Sequence, residues 1–425
     1  ARQIERNGEL AVCDIDVCDE QGRAVAEVRR FCVERVNHQQ ASGDINDYLY
    51  QFHWEPRRLR GTRVERTCQF PSSDELVRSA ERQLPAAWKD HALDQFHQQI
   101  LPTMERVILD AIQNAWLDLG WSFRPGERFT TEEFIDHHSI AAEHRDLARS
   151  QLHWLAVDGA LQADDEGWRV ERTLERADLE GRLNELANGS PRFAPDVALV
   201  GATAPELAGV LSGRTVPLAL FFPGGSNELL ERYYTQGFDF PAYRDLIAST
   251  ISEAIKSLPP RRFIRVLEIG GGTGSLTRAV LESLPADRTE YLFTDIGPGF
   301  VASAKERFAE FPFVEFRTLD IESDPAKQGV PGNSYDLVVA TNVLHATEDI
   351  RQSLAHVRSS LAPGGMFLCL EVVNRTPLTD NVFGLLRGWW RFADHELRPE
   401  SPLLDRGQWE SALSQSGFDE VRSFS

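Results

Sequence analysis

Residues 266–277 read VLEIGGGTGSLT. Val266, Leu267 and Ile269 end an apolar run, glycines follow at 270, 271, 272 and 274, and Ser-Leu-Thr opens a helical pattern. Small residues are needed where a backbone turns tightly and where a ligand presses against it. A dinucleotide fingerprint, G-x-G-x-x-G/A, counted from Gly270 and Gly272 would end at position 275, and this chain has Ser275 there. The spacing is instead Glu268-x-Gly270-x-Gly272-x-Gly274.

Downstream of this turn the chain alternates strand and helix. IRVLEIG, EYLFTDI, VEFRTLDI, YDLVVATNVL and GGMFLCLEVV are apolar strands. Continuous apolar strands with helical crossovers imply a parallel sheet covered on both faces, an α/β doubly wound domain. Its ligands belong at the carboxyl ends of the strands. The glycine spacing resembles the donor loop of S-adenosylmethionine (SAM) methyltransferases, a Rossmann-like fold, and so assigns Glu268, Gly270, Gly272 and Gly274 to cofactor binding. Asp295 ends the second strand, where a carboxylate accepts from ribose hydroxyls. Asp320 ends the third and is placed to accept from the adenine amino group. Asn342 ends the fourth and is expected to face the methionine portion. Taken singly, each aspartate reads equally well as a helix or turn cap; in register behind one glycine turn, they favour the nucleotide.

Upstream, residues 9–36 alternate apolar and polar on both sides of DEQG, a β-hairpin signal. Residues 41–75 are polar and Arg-rich and read as linker, with LYQFHWEP as one edge-strand candidate. Residues 76–240 are mostly helical in pattern, with Ile108, Ile112, Ala115 and Leu119 at helical spacing. Within them, 131–170 reads helix, helix, small hairpin, the order of a winged helix. LALFFPGGSNELLERYY (218–234) reads as a strand-like run, a hinge turn and a helix from about Asn227. The division expected is therefore 1–40, 41–75, 76–240 and 241–425. The chain opens on Ala1 and closes on EVRSFS, in what reads as a strand, as an excised piece of a larger polypeptide would.

Composition narrows the function. Of 425 residues, 42% are hydrophobic and 26% charged, which suits globular domains with real cores. The net charge of −20 argues against a nucleic-acid binder and against docking on anionic lipid. The five cysteines, Cys13, Cys18, Cys32, Cys68 and Cys369, show no metal spacing and fit reduced thiols. No apolar run reaches membrane-spanning length and no signal peptide leads the chain, so the expected location is cytoplasmic.

A more specific resemblance follows from LFFPGGS, LEIGGGTGSLT, TDIGPGF, YDLVVATNVLHAT, LAPGG, LEVV, GLLRGWWRFAD and LRPESPLL. In that order they resemble the motifs of the C-methyltransferase domain of polyketide synthases. The helical part resembles that family's lid, and the hairpin at 9–36 resembles the last strands of the dehydratase hotdog domain that precedes it. The resemblance implies SAM-dependent methylation of the α-carbon of a β-ketoacyl thioester on the phosphopantetheine arm of an acyl carrier protein, with the other synthase domains as partners and no metal. It assigns a His–Glu dyad to His345 and Glu371, a lid tyrosine to Tyr234, with Tyr233 adjacent and not separable, and an acyl-pocket wall to Trp389 and Trp390. The residues agree on their own terms. His345 arrives where a core strand hands over to a loop, and Glu371 ends the next strand. Imidazole is the side chain that titrates near working pH, and a carboxylate on its second nitrogen fixes the tautomer. An O- or N-methyltransferase shares the glycine turn, and a retired, structural domain shares the fold; a nicotinamide enzyme fits the spacing less well.

Overall fold

The computed structural model describes the backbone of residues 2–7, 10–18 and 24–34 and the whole of residues 70–424 apart from 238, 239 and 261. The chain divides into two units, residues 1–66 and 67–425. In the first, β1 (Arg2–Asn7), β2 (Leu10–Cys18) and β3 (Ala24–Glu34) form an antiparallel sheet in that order. The hairpin expected over 9–36 is the β2–β3 pair, with Leu10 opposite Glu34 and Cys18 opposite Ala24. LYQFHWEP lies outside the described residues.

The second unit begins with helices and a small antiparallel sheet of β4 (Arg128–Phe129), β5 (Leu161–Asp164) and β6 (Gly167–Val170), ordered β4-β6-β5. The helix Leu101–Asp118 runs through this layer and buries Ile108, Ile112, Ala115 and Trp116. Helices Thr131–His137 and Arg145–Val157 lead into the β5–β6 hairpin, the expected helix, helix, hairpin order.

The remainder is the expected doubly wound layer. β7 (Ile264–Ile269), β8 (Thr289–Asp295), β9 (Val314–Thr318), β10 (Tyr335–Thr341) and β11 (Leu361–Leu370) form one sheet, ordered β11-β10-β7-β8-β9. Every neighbouring pair in it is parallel. Alternate residues feed opposite cores, as the period of two requires. Val266, Leu337 and Val339 pack with Ile251, Val280 and Phe308 on one face, and Leu267, Val338 and Ala340 pack with Leu354, Val357 and Trp409 on the other. The chain runs outward from β7 to β9, then returns to β10 beside β7. That reversal opens a crevice at the carboxyl ends of β7 and β10.

Four expectations are corrected. Residues 217–221 are a short helix, Pro217–Phe221, and not a strand; a brief apolar run fits either state by pattern alone, and Pro217 is pre-set for a helical first turn. The expected linker already contains the start of the helix Ser73–Asp90, entered through a reciprocal capping box between Ser72 and Glu75. This helix packs on the helix Phe240–Lys256, where Ser79 Oγ donates to Glu253 Oε2 at 2.5 Å and Ser249 Oγ to Gln83 Oε1 at 2.7 Å. Conversely, Leu378, Val382 and Leu385, downstream of the sheet, are buried in the core of the helical layer. Finally, residues 420–424 form no strand.

Candidate active site

The glycine turn lies hard against the sheet. A Cβ on Gly271 would stand 2.1 Å from the Phe293 ring, and one on Gly274, at φ +76°, would stand 2.7 Å from the Phe308 ring. On the other side the turn is open: at Gly272 the nearest atom to such a Cβ is the Gly270 carbonyl oxygen, 3.9 Å away. Asp295, at the end of β8, holds the turn in place. Its Oδ2 accepts from the Gly272 N–H at 2.9 Å and its Oδ1 from the Gly297 N–H at 2.7 Å. Burial raises its pKa. The next residue, Ile296, is 64% exposed, an apolar surface beside a carboxylate.

Glu268 sits beneath the turn, inside the fold. Its carboxylate accepts from Thr277 Oγ1 (3.0 and 2.8 Å) and from the Tyr291 hydroxyl (2.8 Å). Burial pushes its pKa up to about 7. The contacts of Glu268 thus bind β7 to β8 and to the helix Ser275–Ser283. Asp320 caps its own turn, with Oδ1 accepting from the Glu322 N–H (2.9 Å) and Oδ2 from Ser323 Oγ (3.1 Å). Asn342 takes a left-handed φ of +51°. Its Oδ1 accepts from the Val372 N–H at 3.0 Å, tying the ends of β10 and β11 together.

One step beyond Asn342 the chain turns into the segment that carries His345. His345 Nδ1 and Glu371 Oε2 are 2.6 Å apart. The other oxygen, Oε1, accepts from the backbone N–H of Val343 (3.1 Å) and of Leu344 (2.9 Å). Glu371 therefore fixes both the imidazole and the backbone that bears it. The pair is nearly buried, the His345 side chain being 10% exposed. With Nδ1 engaged, Nε2 is the nitrogen left for a reactant.

The Trp389 ring meets the His345 ring edge-on, with centroids 5.6 Å apart. Trp389 Nε1 donates to Asp380, which also accepts from Ser150 Oγ (2.6 Å), Trp154 Nε1 (3.0 Å) and Arg375 Nε (2.7 Å). Trp390 points elsewhere: its Nε1 donates to the Gly384 carbonyl at 2.8 Å and its ring packs on the helical layer.

The two candidate tyrosines lie side by side, rings 5.3 Å apart, against the same core. Tyr233 is 4% exposed within the core of the helical layer, its ring 5.9 Å from Phe383. The Tyr234 carbonyl accepts from Ser275 Oγ at 2.9 Å, and burial pushes its phenol up to about 12, so it stays an O–H donor. Arg307 adds a second joint, pairing with Glu231 of the helix Glu228–Gln236 at 2.6 Å and donating to the Thr273 carbonyl. Ser275, the departure from the dinucleotide fingerprint, is thus a tie between the glycine turn and the helix above it, a role the sequence flagged only as a misfit.

Known proteins resemble this chain across both layers. The family described as "Methyltransferase domain" matches residues 267–367. The polyketide synthase ThaG of Burkholderia thailandensis is 35% identical over 66% of the chain, and the hybrid PKS-NRPS synthetase lepA of Aspergillus flavus is 39% identical over 78% of it. The chain spans 5% and 8% of the length of those two relatives. Among solved structures, the carbon methyltransferase domain of the citrinin polyketide synthase is 25% identical with a TM-score of 0.73, over 81% of this chain and 90% of that one. The CurJ carbon methyltransferase is 35% identical with a TM-score of 0.78, over 82% of this chain and 94% of that one.

The chain belongs to the carbon methyltransferases of polyketide synthases. It is a SAM-dependent enzyme, and its site fits the cofactor: at Gly272 a Cβ would meet nothing nearer than the Gly270 carbonyl oxygen at 3.9 Å, and the carboxylate of Asp295 stands beside exposed Ile296. Among the described residues of this carbon methyltransferase no helix is long and apolar enough to cross a membrane, and no three His, Cys, Asp or Glu side chains cluster to hold a metal.

Proposed function

We propose that this carbon methyltransferase acts on the α-carbon of a β-ketoacyl thioester, presented on the phosphopantetheine arm of an acyl carrier protein, with His345 as the base. The observation that carries this reading is the 2.6 Å contact of His345 Nδ1 with Glu371 at the ends of two adjacent strands, next to the glycine turn. Two carbonyls flank that α-carbon and make its hydrogen acidic. His345 Nε2 takes the proton, and the electron pair left behind delocalises as an enolate. Glu371 keeps the proton of the resting imidazole on Nδ1 and stabilises the imidazolium that forms. Trp389 walls the dyad from one side, and Tyr234 is an O–H donor from the lid.

Gly270, Gly272, Gly274 and Asp295 are the residues that would hold SAM, with Asp320 and Asn342 further along the same row of strand ends and Glu268 supporting the turn from beneath. When bound, SAM supplies an electrophilic methyl on a positively charged sulfur. The helical layer, residues 76–240, serves as the lid, and the sheet at Arg2–Glu34 is the tail of a dehydratase-like domain preceding it in the same synthase.

The test is a mass-spectrometric assay with SAM and a carrier-bound β-ketoacyl chain, run beside the matching β-hydroxyacyl chain. Methyl gain on the ketone alone supports enolate chemistry. Gain on the hydroxyl chain overturns it in favour of oxygen methylation.

A further inference from the structure

The motif LRPESPLL contributes a residue that the reaction as described does not use. Arg398 is 1% exposed, and its guanidinium reaches the backbone of the His345 segment. Nη1 donates to the His345 carbonyl at 2.8 Å, and Nη2 donates to the carbonyls of Thr347 at 2.8 Å and Glu348 at 3.0 Å. Nε donates to Asp394, whose second oxygen accepts from the Ile350 N–H at 3.1 Å, the first residue of the next helix. The Phe392 ring lies 5.2 Å under the guanidinium carbon, and the Ala393 N–H donates to the Glu348 carbonyl at 2.9 Å. A buried cation with one carboxylate partner is an expensive way to hold a surface loop. A planar fork that satisfies three carbonyls at once is what fixes the short 3-10 turn Leu344–Ala346 and the residues after it, and lysine does not reproduce it.

We infer that Arg398 is a positioning residue for the base, setting the direction of His345 Nε2 by clamping the carbonyl side of the segment whose amide side Glu371 holds. The inference rests on His345 being the base. Glu371 binds the N–H groups of Val343 and Leu344, and Arg398 binds the carbonyls of residues 345, 347 and 348. The imidazole hangs between these two anchors. Arg398 bonds only to the carbonyls of 345, 347 and 348 and to Asp394, whereas Val343, at the amide end, packs on Gly270 of the glycine turn, so the Arg398 side is the half of the clamp that experiment separates from the turn.

The experiment measures α-deuterium incorporation from D2O into the carrier-bound β-ketoacyl chain without SAM, above the rate without enzyme. This isolates the base step: the α-C–H bond breaks, the proton goes to His345, and a solvent deuteron returns to the enolate. Arg398→Lys, which keeps the charge and loses the fork, is expected to slow exchange and methylation together by about 10- to 100-fold, the range for a displaced catalytic group. SAM affinity and KM for the carrier-bound chain stay within about twofold of wild type on the same ground. Should Arg398→Lys fail to fold, Asp394→Asn, which keeps one acceptor for the guanidinium, is expected to give the same pattern at smaller size. Folded variants with wild-type exchange overturn the inference. His345→Ala runs alongside: exchange persisting there sinks the base assignment itself, whereas exchange lost there and kept in the Arg398 and Asp394 variants sinks only the clamp.

Discussion

The donor half of the site is made from one stretch of chain, and the half proposed to move the proton, hereafter the proton half, is not. From Glu268 to Phe308 the sequence runs strand, glycine turn, helix, strand and helix, and most groups that shape the donor turn lie within it, namely Asp295, Phe293, Phe308 and Thr277, with Val343 packing on Gly270 from outside. The proton half joins His345 after β10, Glu371 after β11, Trp389 beyond both, and Asp380 with its donors from the helix Arg145–Val157. A turn that approaches a ligand through backbone must be written as glycines at fixed spacing. A base need only arrive in the right place, and many routes through the fold bring it there.

The sharpest way to break this comparison is His345→Ala. Methylation is expected to fall by roughly 10²- to 10⁴-fold, the usual worth of a positioned base, while calorimetry finds SAM affinity unchanged. A parallel fall in affinity would mean that the halves are not independent.

Next in size is the pH dependence of stability set by Glu268, whose carboxyl is raised from 4.5 to about 7 by burial. Its proton is bound more tightly in the folded state than in the unfolded chain, so its contribution is complete below the unfolded value and is lost as pH rises through the folded one. The loss amounts to about 3 kcal/mol at most by proton linkage. Denaturation midpoints of the native enzyme should therefore decline from acid to mildly alkaline pH more steeply than those of Glu268→Gln. Parallel curves would show that the buried carboxylate does not titrate there.

Asp295→Ala removes the carboxylate's bond to the Gly272 N–H of the donor turn and is expected to weaken SAM binding by about 10-fold, near the worth of one charge-assisted bond. The rate at saturating SAM should stay close to normal, and an equal loss in that rate would tie the turn to the proton half. The smallest effect belongs to Ser275→Ala, which removes the bond to the Tyr234 carbonyl. It should lower stability by about 1 kcal/mol and speed proteolytic cleavage near residues 228–236; unchanged cleavage would mean that Arg307 alone holds that joint.

The same contrast explains what could be read in advance. The five core strands, their parallel direction and the donor turn follow from local pattern: apolar runs, glycine spacing and strand-end aspartates. His345 and Glu371 were paired by the family resemblance, which their places at the ends of core strands support, and their 2.6 Å contact is a matter of tertiary packing. The run at 217–221 misled because five apolar residues carry no period long enough to separate helix from strand. The SSDE box at 72–75 did mark a helix start, but it lay in a stretch whose charge read as linker. Asp320 and Asn342 bond through their side-chain oxygens to nearby backbone and, for Asp320, to the Ser323 hydroxyl, and such bonds leave no trace in spacing.

Asp380 has a consequence for anyone who would transplant this enzyme. Its four donors come from both sides of the sheet sequence: Ser150 and Trp154 far upstream, Arg375 and Trp389 downstream. Cutting the chain just before β7 would strand a dry carboxylate among orphaned apolar neighbours, Leu378, Val382 and Leu385. The helices and the sheet are interlaced like clasped fingers, and a chimera that grafts one without the other severs the clasp.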